Sequence, residues 1–183
     1  MKTKFISTLP GKNFYFLISA VLFTLVSVNS VQAQTYEAWV KKKISEIRRE
    51  VMTINNSTAK YTKTTKNVED ISLEGTEATY YHSAGNSKKI TAKMYGETYN
   101  ATGEFYYANG RLIFAFLKRN QYDTQIGMDK PPKVVRTEEQ RFYFANGDLI
   151  RLLVGKKELK SGDEKYQQLK DEITGISDKL KDS

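Results

Sequence analysis

Side chains that commonly carry out catalysis are sparse in this chain. Its 183 residues include no cysteine, which excludes thiolate catalysis, disulfide bonds and cysteine-based metal sites. His82 is the only histidine, so a nucleophile–histidine–carboxylate set would have to be built around it. Because it lies near the end of a predicted strand, we interpret it as a surface or turn residue. The sequence assigns no catalytic, cofactor-binding or metal-ligating residue, and we expect no cofactor.

Carboxylates are the remaining candidates for acid–base chemistry. Glu97 and Glu104 would suit glycoside hydrolysis if the two side chains faced each other. The adjacent pairs Glu69-Asp70 and Glu138-Glu139 are poor candidates, because neighbours on a strand point to opposite faces of a sheet. No EF-hand spacing, phosphate-binding glycine loop or nucleophile elbow is present. A non-enzymatic role is therefore favoured, and a small carboxylate-dependent hydrolase acting on envelope glycans is the alternative.

Aromatic residues are the strongest candidates for a binding surface. Tyrosine combines a large apolar ring with a hydroxyl group, and it is enriched at contact surfaces. Tyr106 and Tyr143 are predicted to lie on the sheet face opposite the core, where each hydroxyl would reach water. We take these two as speculative binding residues for a protein or glycan of unknown identity. Four aromatic residues at alternating positions are predicted to be core: Phe105, Tyr107, Phe142 and Phe144.

The N-terminal segment has the composition of a secretory signal peptide. Three lysines flank its start, an apolar run covers residues 14–28, and the small residues Val31 and Ala33 follow. This run is shorter than the ~20 residues that a spanning helix needs, although an uncleaved anchor is the alternative. We expect removal of residues 1–33 by cleavage before Gln34, and a periplasmic or extracellular protein. Membrane contact is expected only through the signal peptide before cleavage.

The formal net charge of +8 is concentrated near the N-terminus. Outside the predicted signal peptide, the basic excess lies in residues 34–67, which hold eight basic and three acidic residues, while residues 68–183 are balanced. A basic end on an exported protein would form a solvated helix face, or it would meet anionic lipid, polysaccharide or an acidic partner. Nucleic acid is not an expected partner, because the chain has no recognisable nucleic-acid-binding motif.

Two amphipathic helices are predicted to flank a β-rich middle, so that residues 34–183 form a single α+β domain. Apolar residues recur at spacings of three and four up to a polar cluster, which predicts a helix over residues 36–54. A second apolar stripe predicts a C-terminal helix over about residues 162–181. Gly175 inside that stripe lowers its helix propensity by about 1 kcal/mol relative to alanine.

The middle of the chain, about residues 59–155, predicts an antiparallel β-meander of about six strands. Asn109-Gly110 and Asn146-Gly147 are strong hairpin signals, because both residue types tolerate positive φ. A looser third copy is predicted to turn at Gly85-Asn86. Two 13-residue segments around the first two turns share seven identical positions: Phe105–Leu117 and Phe142–Val154.

Register and burial in these hairpins depend on the turn. A two-residue turn would pair Tyr107 with Leu112 and Phe105 with Phe114, whereas a three-residue turn with a bulge would slip the pairing by one. Both faces are largely apolar, although a sheet with one wet face alternates more clearly. We expect helices to cover one face, and the other face to fold against part of its own sheet or else to await a partner.

The combination of motifs resembles a family of small exported bacterial proteins of uncharacterised function. The residues that carry this resemblance are Glu74-Gly75, Tyr80-Tyr81, Tyr95-Gly96-Glu97 and the two aromatic Asn-Gly hairpins. The similarity covers about residues 44–154. It implies export and the same fold, and it supplies no catalytic residues. The expected function is therefore an exported, non-enzymatic binding or interaction module in the cell envelope or outside the cell.

Overall fold

The computed structural model describes the backbone of residues 13–128 and 130–183, with side chains for Gln32 and for residues 34–128 and 130–183. The chain divides into two compact units, residues 1–42 and residues 43–183. In the first unit, the described residues are helical, and the rings of Tyr36 and Trp39 stack with their centroids 5.8 Å apart. Residues 1–12 of the predicted signal peptide and most side chains of its apolar run lie outside the described residues. Cleavage before Gln34 stays a prediction.

The element order is helix, eight strands, helix, which confirms the α+β class and the meander. Helix α1 (Asn13–Ser57) extends beyond the predicted bounds of 36–54 at both ends and is followed by a short 3-10 turn, Thr58–Lys60. Helix α2 (Glu164–Asp182) lies within two residues of its prediction. The strands are β1 (Thr62–Val68), β2 (Thr76–Ser83), β3 (Asn86–Gly96), β4 (Tyr99–Ala108), β5 (Arg111–Tyr122), β6 (Val134–Ala145), β7 (Asp148–Val154) and β8 (Lys157–Leu159).

All eight strands form one antiparallel sheet in sequence order. The prediction of about six strands was wrong by two. The third hairpin copy is a complete β2–β3 pair, and polar β1 pairs with β2 over seven residues although its sequence TKTTKNV has almost no apolar alternation. The short β8 pairs with the end of β7. Both additional strands lie at the edges of the sheet, where apolar patterning is weakest.

Three hairpins repeat the same local geometry. Each has a two-residue turn in which both residues have positive φ: Ala84-Gly85, Asn109-Gly110 and Asn146-Gly147. The first of these corrects the predicted turn at Gly85-Asn86. In each hairpin, one residue of the second strand is unpaired three positions after the turn glycine, at Lys88, Ile113 and Ile150.

The observed register combines parts of the two predicted ones, because a two-residue turn is followed by a bulge. The two-residue turn pairs Tyr107 with Leu112 as expected, but the bulge then pairs Phe105 with Ala115 instead of Phe114. Phe114 faces Tyr106 on the other side of the sheet. The repeated sequence thus encodes a repeated turn and a repeated bulge, which increases the local twist of the sheet.

The main core lies between α2 and one face of the sheet. The four predicted core aromatics are confirmed as buried in this cluster. The apolar stripe of α2 supplies Leu169, Ile173, Ile176 and Leu180. The buried Tyr107 hydroxyl lies 3.1 Å from Ser177 Oγ on α2, and burial raises the pKa of Tyr107.

The second face of the sheet is covered by the C-terminal part of α1. Ile44, Ile47 and Ile54 of this helix are buried. Beneath it, the rings of Tyr106, Phe114 and Tyr143 form a row across β4, β5 and β6, with neighbouring centroids 5.8 and 5.0 Å apart. We call these three residues the aromatic row. The two helices therefore lie on opposite faces, and the expected folding of this face against its own sheet was wrong here.

Candidate functional site

The predicted binding residues Tyr106 and Tyr143 are buried, with only 2% and 4% of their surfaces exposed. The Tyr106 hydroxyl, which was expected to reach water, is instead bonded to Glu104 and lies beside Asn55. Arg48 of α1 lies over the Tyr143 ring, 5.7 Å from its centroid, and Asn55 of α1 lies 3.1 Å from the Tyr106 hydroxyl. Helix α1 thus covers most of both rings, although Tyr143 also lines a small pocket of about 80 Å³, and the binding role of the two tyrosines stays a prediction.

A polar cluster fixes the end of α1 to the sheet. Lys89 Nζ donates hydrogen bonds to Glu104 Oε2 at 2.8 Å and to Asn55 Oδ1 at 3.0 Å. It also lies over the Tyr106 ring, 4.9 Å from the centroid, and the Tyr106 hydroxyl donates to Glu104. These contacts join β3, β4 and α1 through one lysine.

The protonation states in this cluster follow from its geometry. Burial alone would raise the pKa of Glu104, but hydrogen bonds from Lys89 and Tyr106 together with the lysine charge lower it below its ordinary value. Burial alone would lower the pKa of Lys89, but its bonds to Glu104 and Tyr106 raise it. Burial and the neighbouring carboxylate raise the pKa of Tyr106. The lysine and glutamate are thus a charged pair at neutral pH, an arrangement that suits helix attachment rather than nucleophilic attack by the amine.

The two carboxylates considered for glycoside hydrolysis are not brought together. Glu97 lies in the turn that precedes β4. Strand β4 begins at Tyr99, and Glu104 lies five residues after Tyr99 on that strand. At a strand rise of about 3.3 Å per residue they are separated by roughly 17 Å or more, whereas glycosidase carboxylates lie about 5–9.5 Å apart. Within residues 13–128 and 130–183, no group of three or more histidine, cysteine, aspartate or glutamate side chains is placed to hold a metal ion.

His82 occupies the hairpin position that Tyr107 and Phe144 occupy in the other two copies. Its Nδ1 atom lies 3.1 Å from Ser87 Oγ on the paired strand, and its ring stacks on Tyr80. It therefore has a local role beside a turn, in agreement with the sequence interpretation.

The loops at the end of the sheet form a second candidate site. The main chain of residues 69–75, which link β1 to β2, is bonded to β3: Glu74 N donates to Tyr95 O at 3.0 Å and Tyr95 N donates to Gly75 O at 3.1 Å. Ser72 Oγ donates to Gly75 O at 2.6 Å within the same loop. This loop is therefore held by main-chain bonds although it is exposed.

The loop between β5 and β6 is held in the same manner. Ile126 N donates to Glu97 O at 2.8 Å, and Gln125 Nε2 donates to Glu97 Oε2 at 2.9 Å. At the base of this loop, Asp123 N donates to Lys133 O at 3.0 Å. Both loops thus meet the β3–β4 turn.

These segments enclose a groove of about 370 Å³, which we call the loop-end groove; it is lined by Glu74, Tyr95, Gly96, Glu97, Gln125 and Ile126. A cavity of about 540 Å³ adjoins the same loop and is lined by residues 69–73, Gly75 and Tyr99. Large apolar side chains are exposed at each: Leu73 at 85% at the cavity, and Ile126 at 50% and Tyr95 at 40% at the groove. Two carboxylates and no lysine or arginine line the groove, so it suits a ligand with an apolar part and hydrogen-bond donors or positive charge.

Sequence reasoning missed this surface because its residues lie in three separate loops. Glu74 and Tyr95-Gly96-Glu97 belong to motifs that were noticed, but those motifs supported a family resemblance and gave no indication of a groove. The available signal was the apolar residues of the two linkers, Ile71 and Leu73 in the first and Ile126 and Met128 in the second. Loop packing is needed to show that they are neighbours.

Comparison with known proteins returns no family model, no curated protein and no solved structure that matches this chain. Among the helical residues that the structure describes, none form a segment long and apolar enough to cross a membrane. The fold and the loop-end groove are therefore the basis for a functional proposal.

Proposed function

We propose that the protein is an exported, non-enzymatic interaction module that binds its partner through the loop-end groove. The observation that carries this proposal is the exposure of Tyr95 and Ile126 at the groove, with Leu73 exposed at the adjoining cavity, on segments that are fixed by main-chain hydrogen bonds. Exposed apolar residues are common singly, but several of them around a formed groove are typical of contact surfaces. Export rests on the apolar N-terminal run and the small residues before Gln34.

A fixed groove favours binding because less conformational entropy is lost when the partner is bound. Ordering a mobile side chain at an interface costs about 0.5–1.5 kcal/mol, and mobile loops add to this cost. The Tyr95 ring offers a flat apolar surface, and Glu74 and Glu97 offer acceptors beside it. A protein segment with an aliphatic and a basic side chain matches this chemistry, as does a glycan with hydroxyl donors that stacks on the tyrosine.

The proposal is tested with immobilised protein beginning at Gln34, exposed to envelope extract and to secreted material. Tyr95→Ser and Ile126→Ser should each reduce capture of the bound species about tenfold, because each removes apolar contact area from the groove. Met52→Ser is the matched control, since Met52 is 58% exposed on α1 and lies outside the groove. Protease treatment of the extract separates a protein partner, whose capture is lost, from a glycan.

Equal capture by the wild type and by both groove variants would contradict the proposal, provided that their melting temperatures agree. Capture that is lost equally in Met52→Ser would show that general surface hydrophobicity causes binding. Turnover of an envelope glycan by the purified protein would instead support the hydrolase alternative.

A further inference from the structure

The two edges of the sheet differ in length. At one edge, β8 has three residues, and such a short edge offers few free main-chain groups. At the other edge, β1 has seven residues that pair with β2 in an unbroken antiparallel register from Thr62 to Val68. Among the described strands β1 has no second neighbour, so one side of its main chain is unpaired. The first four residues of β1 are exposed.

Lysines on edge strands usually oppose the addition of another strand. Here the two lysines of β1 point back over the sheet instead. Lys63 Nζ lies 5.4 Å from the centroid of the Tyr81 ring, and Lys66 Nζ lies 4.7 Å from that of Tyr80, on the opposite face. Lys66 also donates to the main-chain oxygen of Ser183. The positive charges thus flank the edge above and below, and they leave the main chain of β1 uncovered.

Charge determines which strand fits this edge. Residues 58–68 contain three lysines and no acidic residue. A second copy of β1 brings the same lysines and no carboxylate; paired antiparallel about Thr64, it would place Lys63 of each copy diagonally across from the other on one face, and like charges at such neighbouring positions are destabilising. An extended segment with carboxylates on both faces would instead meet one lysine on each face. The threonines of β1 are β-branched and suit a paired strand.

We propose that β1 is an acceptor edge for an extended acidic peptide segment, which adds to the sheet as a ninth, antiparallel or parallel strand. Main-chain hydrogen bonds along β1 give the affinity, and Lys63 and Lys66 select carboxylate-bearing sequences. This site is separate from the loop-end groove and does not depend on the function proposed for it. A polar edge of this kind binds reversibly and remains exposed when unoccupied.

The test uses the protein beginning at Gln34 and two capped synthetic peptides of equal charge. One alternates threonine and glutamate; the other has a proline in place of its central threonine, which removes a main-chain donor and disfavours a strand. The first peptide should bind about tenfold more tightly than the second, measured by calorimetry at low and physiological salt. Amide hydrogen exchange within residues 62–68 should slow only with the first peptide.

Charge reversal gives the second measurement. Lys63→Glu/Lys66→Glu should weaken binding of the first peptide about tenfold or more. The control Lys156→Glu/Lys157→Glu makes the same change in net charge at the far edge of the sheet and should leave binding unchanged. Ile126→Ser, which alters the loop-end groove, should also leave binding of the peptide unchanged. Equal binding of both peptides, unaltered exchange in residues 62–68, or a dimer of the wild-type chain that competes with the peptide would each overturn the proposal.

Discussion

Tyr106 and its neighbour Tyr107 show how adjacent tyrosines on one strand take different roles. Tyr107 faces α2, where its hydroxyl meets Ser177, and Tyr106 faces α1, where its hydroxyl meets Asn55 and Glu104. Both side chains are almost fully buried. Each hydroxyl has a partner, which is what permits burial without the penalty for an unpaired polar group.

Truncation of the buried aromatics is expected to be costly on both faces of the sheet. Phe105→Ala, Phe142→Ala, Tyr106→Ala and Tyr143→Ala should each lower the free energy of unfolding by about 3–5 kcal/mol, because each leaves a cavity where a ring was buried. Urea denaturation measures this. Tyr95→Ala is the control, since Tyr95 is 40% exposed and should cost less than about 1 kcal/mol. Near-wild-type stability of the Tyr106 and Tyr143 variants would show that α1 does not cover this face.

The Lys89–Glu104 pair predicts a pH dependence of stability. Because the folded protein lowers the pKa of Glu104 below its ordinary value of 4.5, the carboxylate stabilises the fold above about pH 4.5. This contribution is lost as the pH falls through the lowered pKa. Glu104→Gln should therefore be less stable than the wild type at pH 7, and the difference should shrink in strongly acidic solution. Urea denaturation at pH 7 and in strongly acidic solution measures the difference in stability between Glu104→Gln and the wild type. A difference that is independent of pH would contradict the prediction. Glu158→Gln is a useful comparison, since Glu158 also has a lowered pKa and lies far from α1.

Residue-level predictions from sequence succeeded where alternation alone decides the outcome. The positions of Phe105, Tyr107, Phe142 and Phe144 follow from the two-residue period of a strand. The burial of Tyr106 does not follow from it, since alternation gives the face of a residue but not what covers that face. Tyr106 is buried by helix α1, whose Asn55 contacts the Tyr106 hydroxyl and lies some fifty residues earlier in the chain.

At the scale of elements, the hairpin is the repeated unit. Gly110 and Gly147 have φ of 73° and 93°, as predicted from the Asn-Gly turns. Gly110→Val and Gly147→Val should each destabilise the protein by about 1 kcal/mol or more, because a β-branched residue is strained at positive φ. A Cβ added at either glycine would meet no atom within 4 Å. Backbone strain, and not a steric clash, therefore causes the expected loss of stability. Thermal melts measure it, and unchanged melting temperatures in both variants would argue against this turn geometry.

Helix α2 contains the opposite case, a glycine that the structure does not require. Gly175 is exposed within the helix, and an added Cβ would meet no atom within 4 Å. Gly175→Ala should therefore stabilise the protein by about 1 kcal/mol, through the higher helix propensity of alanine. Chemical denaturation measures the gain, with Gly162→Ala outside the helix as a comparison for which no such gain is expected. A loss of stability at position 175 would indicate a contact partner on that face of α2.

Elements with strong local signals were predicted well from the sequence, and weak ones were not. The period of α2 and the turn residues of the two Asn-Gly hairpins are local properties. Strand β1 was missed because an exposed edge needs no apolar alternation, and its pairing with β2 comes from the sheet. The bulge at Ile113 was left open because the turn residues alone do not show whether the strand after the turn contains an unpaired residue.

At the scale of the whole molecule, residues 43–183 form a sheet with a helix on each face, and the two faces are unequal. The α2 face contains a large continuous core. The α1 face is held by a short helical segment over the aromatic row and by the polar cluster around Lys89. The chain thus places its greatest apolar burial on one side, and attaches the basic N-terminal helix on the other through a smaller, partly polar contact.

This asymmetry predicts the result of removing the helical cover. A chain that begins at Thr58 lacks the segment over Tyr106, Phe114 and Tyr143, so these rings would face water, whereas a chain that begins at Lys43 retains the whole second unit. The shorter chain should bind a dye that fluoresces on exposed apolar surface and should have a lower melting temperature, because apolar burial contributes about 25 cal/mol per Å². Its α2 face should still fold, as judged by slow amide exchange in β4 and β5, since that core does not involve α1. The chain beginning at Gln34 is the control; a chain beginning at Lys43 lacks Val40, which is 1% exposed, and should melt between the two. The prediction is contradicted if the chain beginning at Thr58 binds no more dye than the control and melts at the same temperature. The sheet itself would then have to bury the aromatic row.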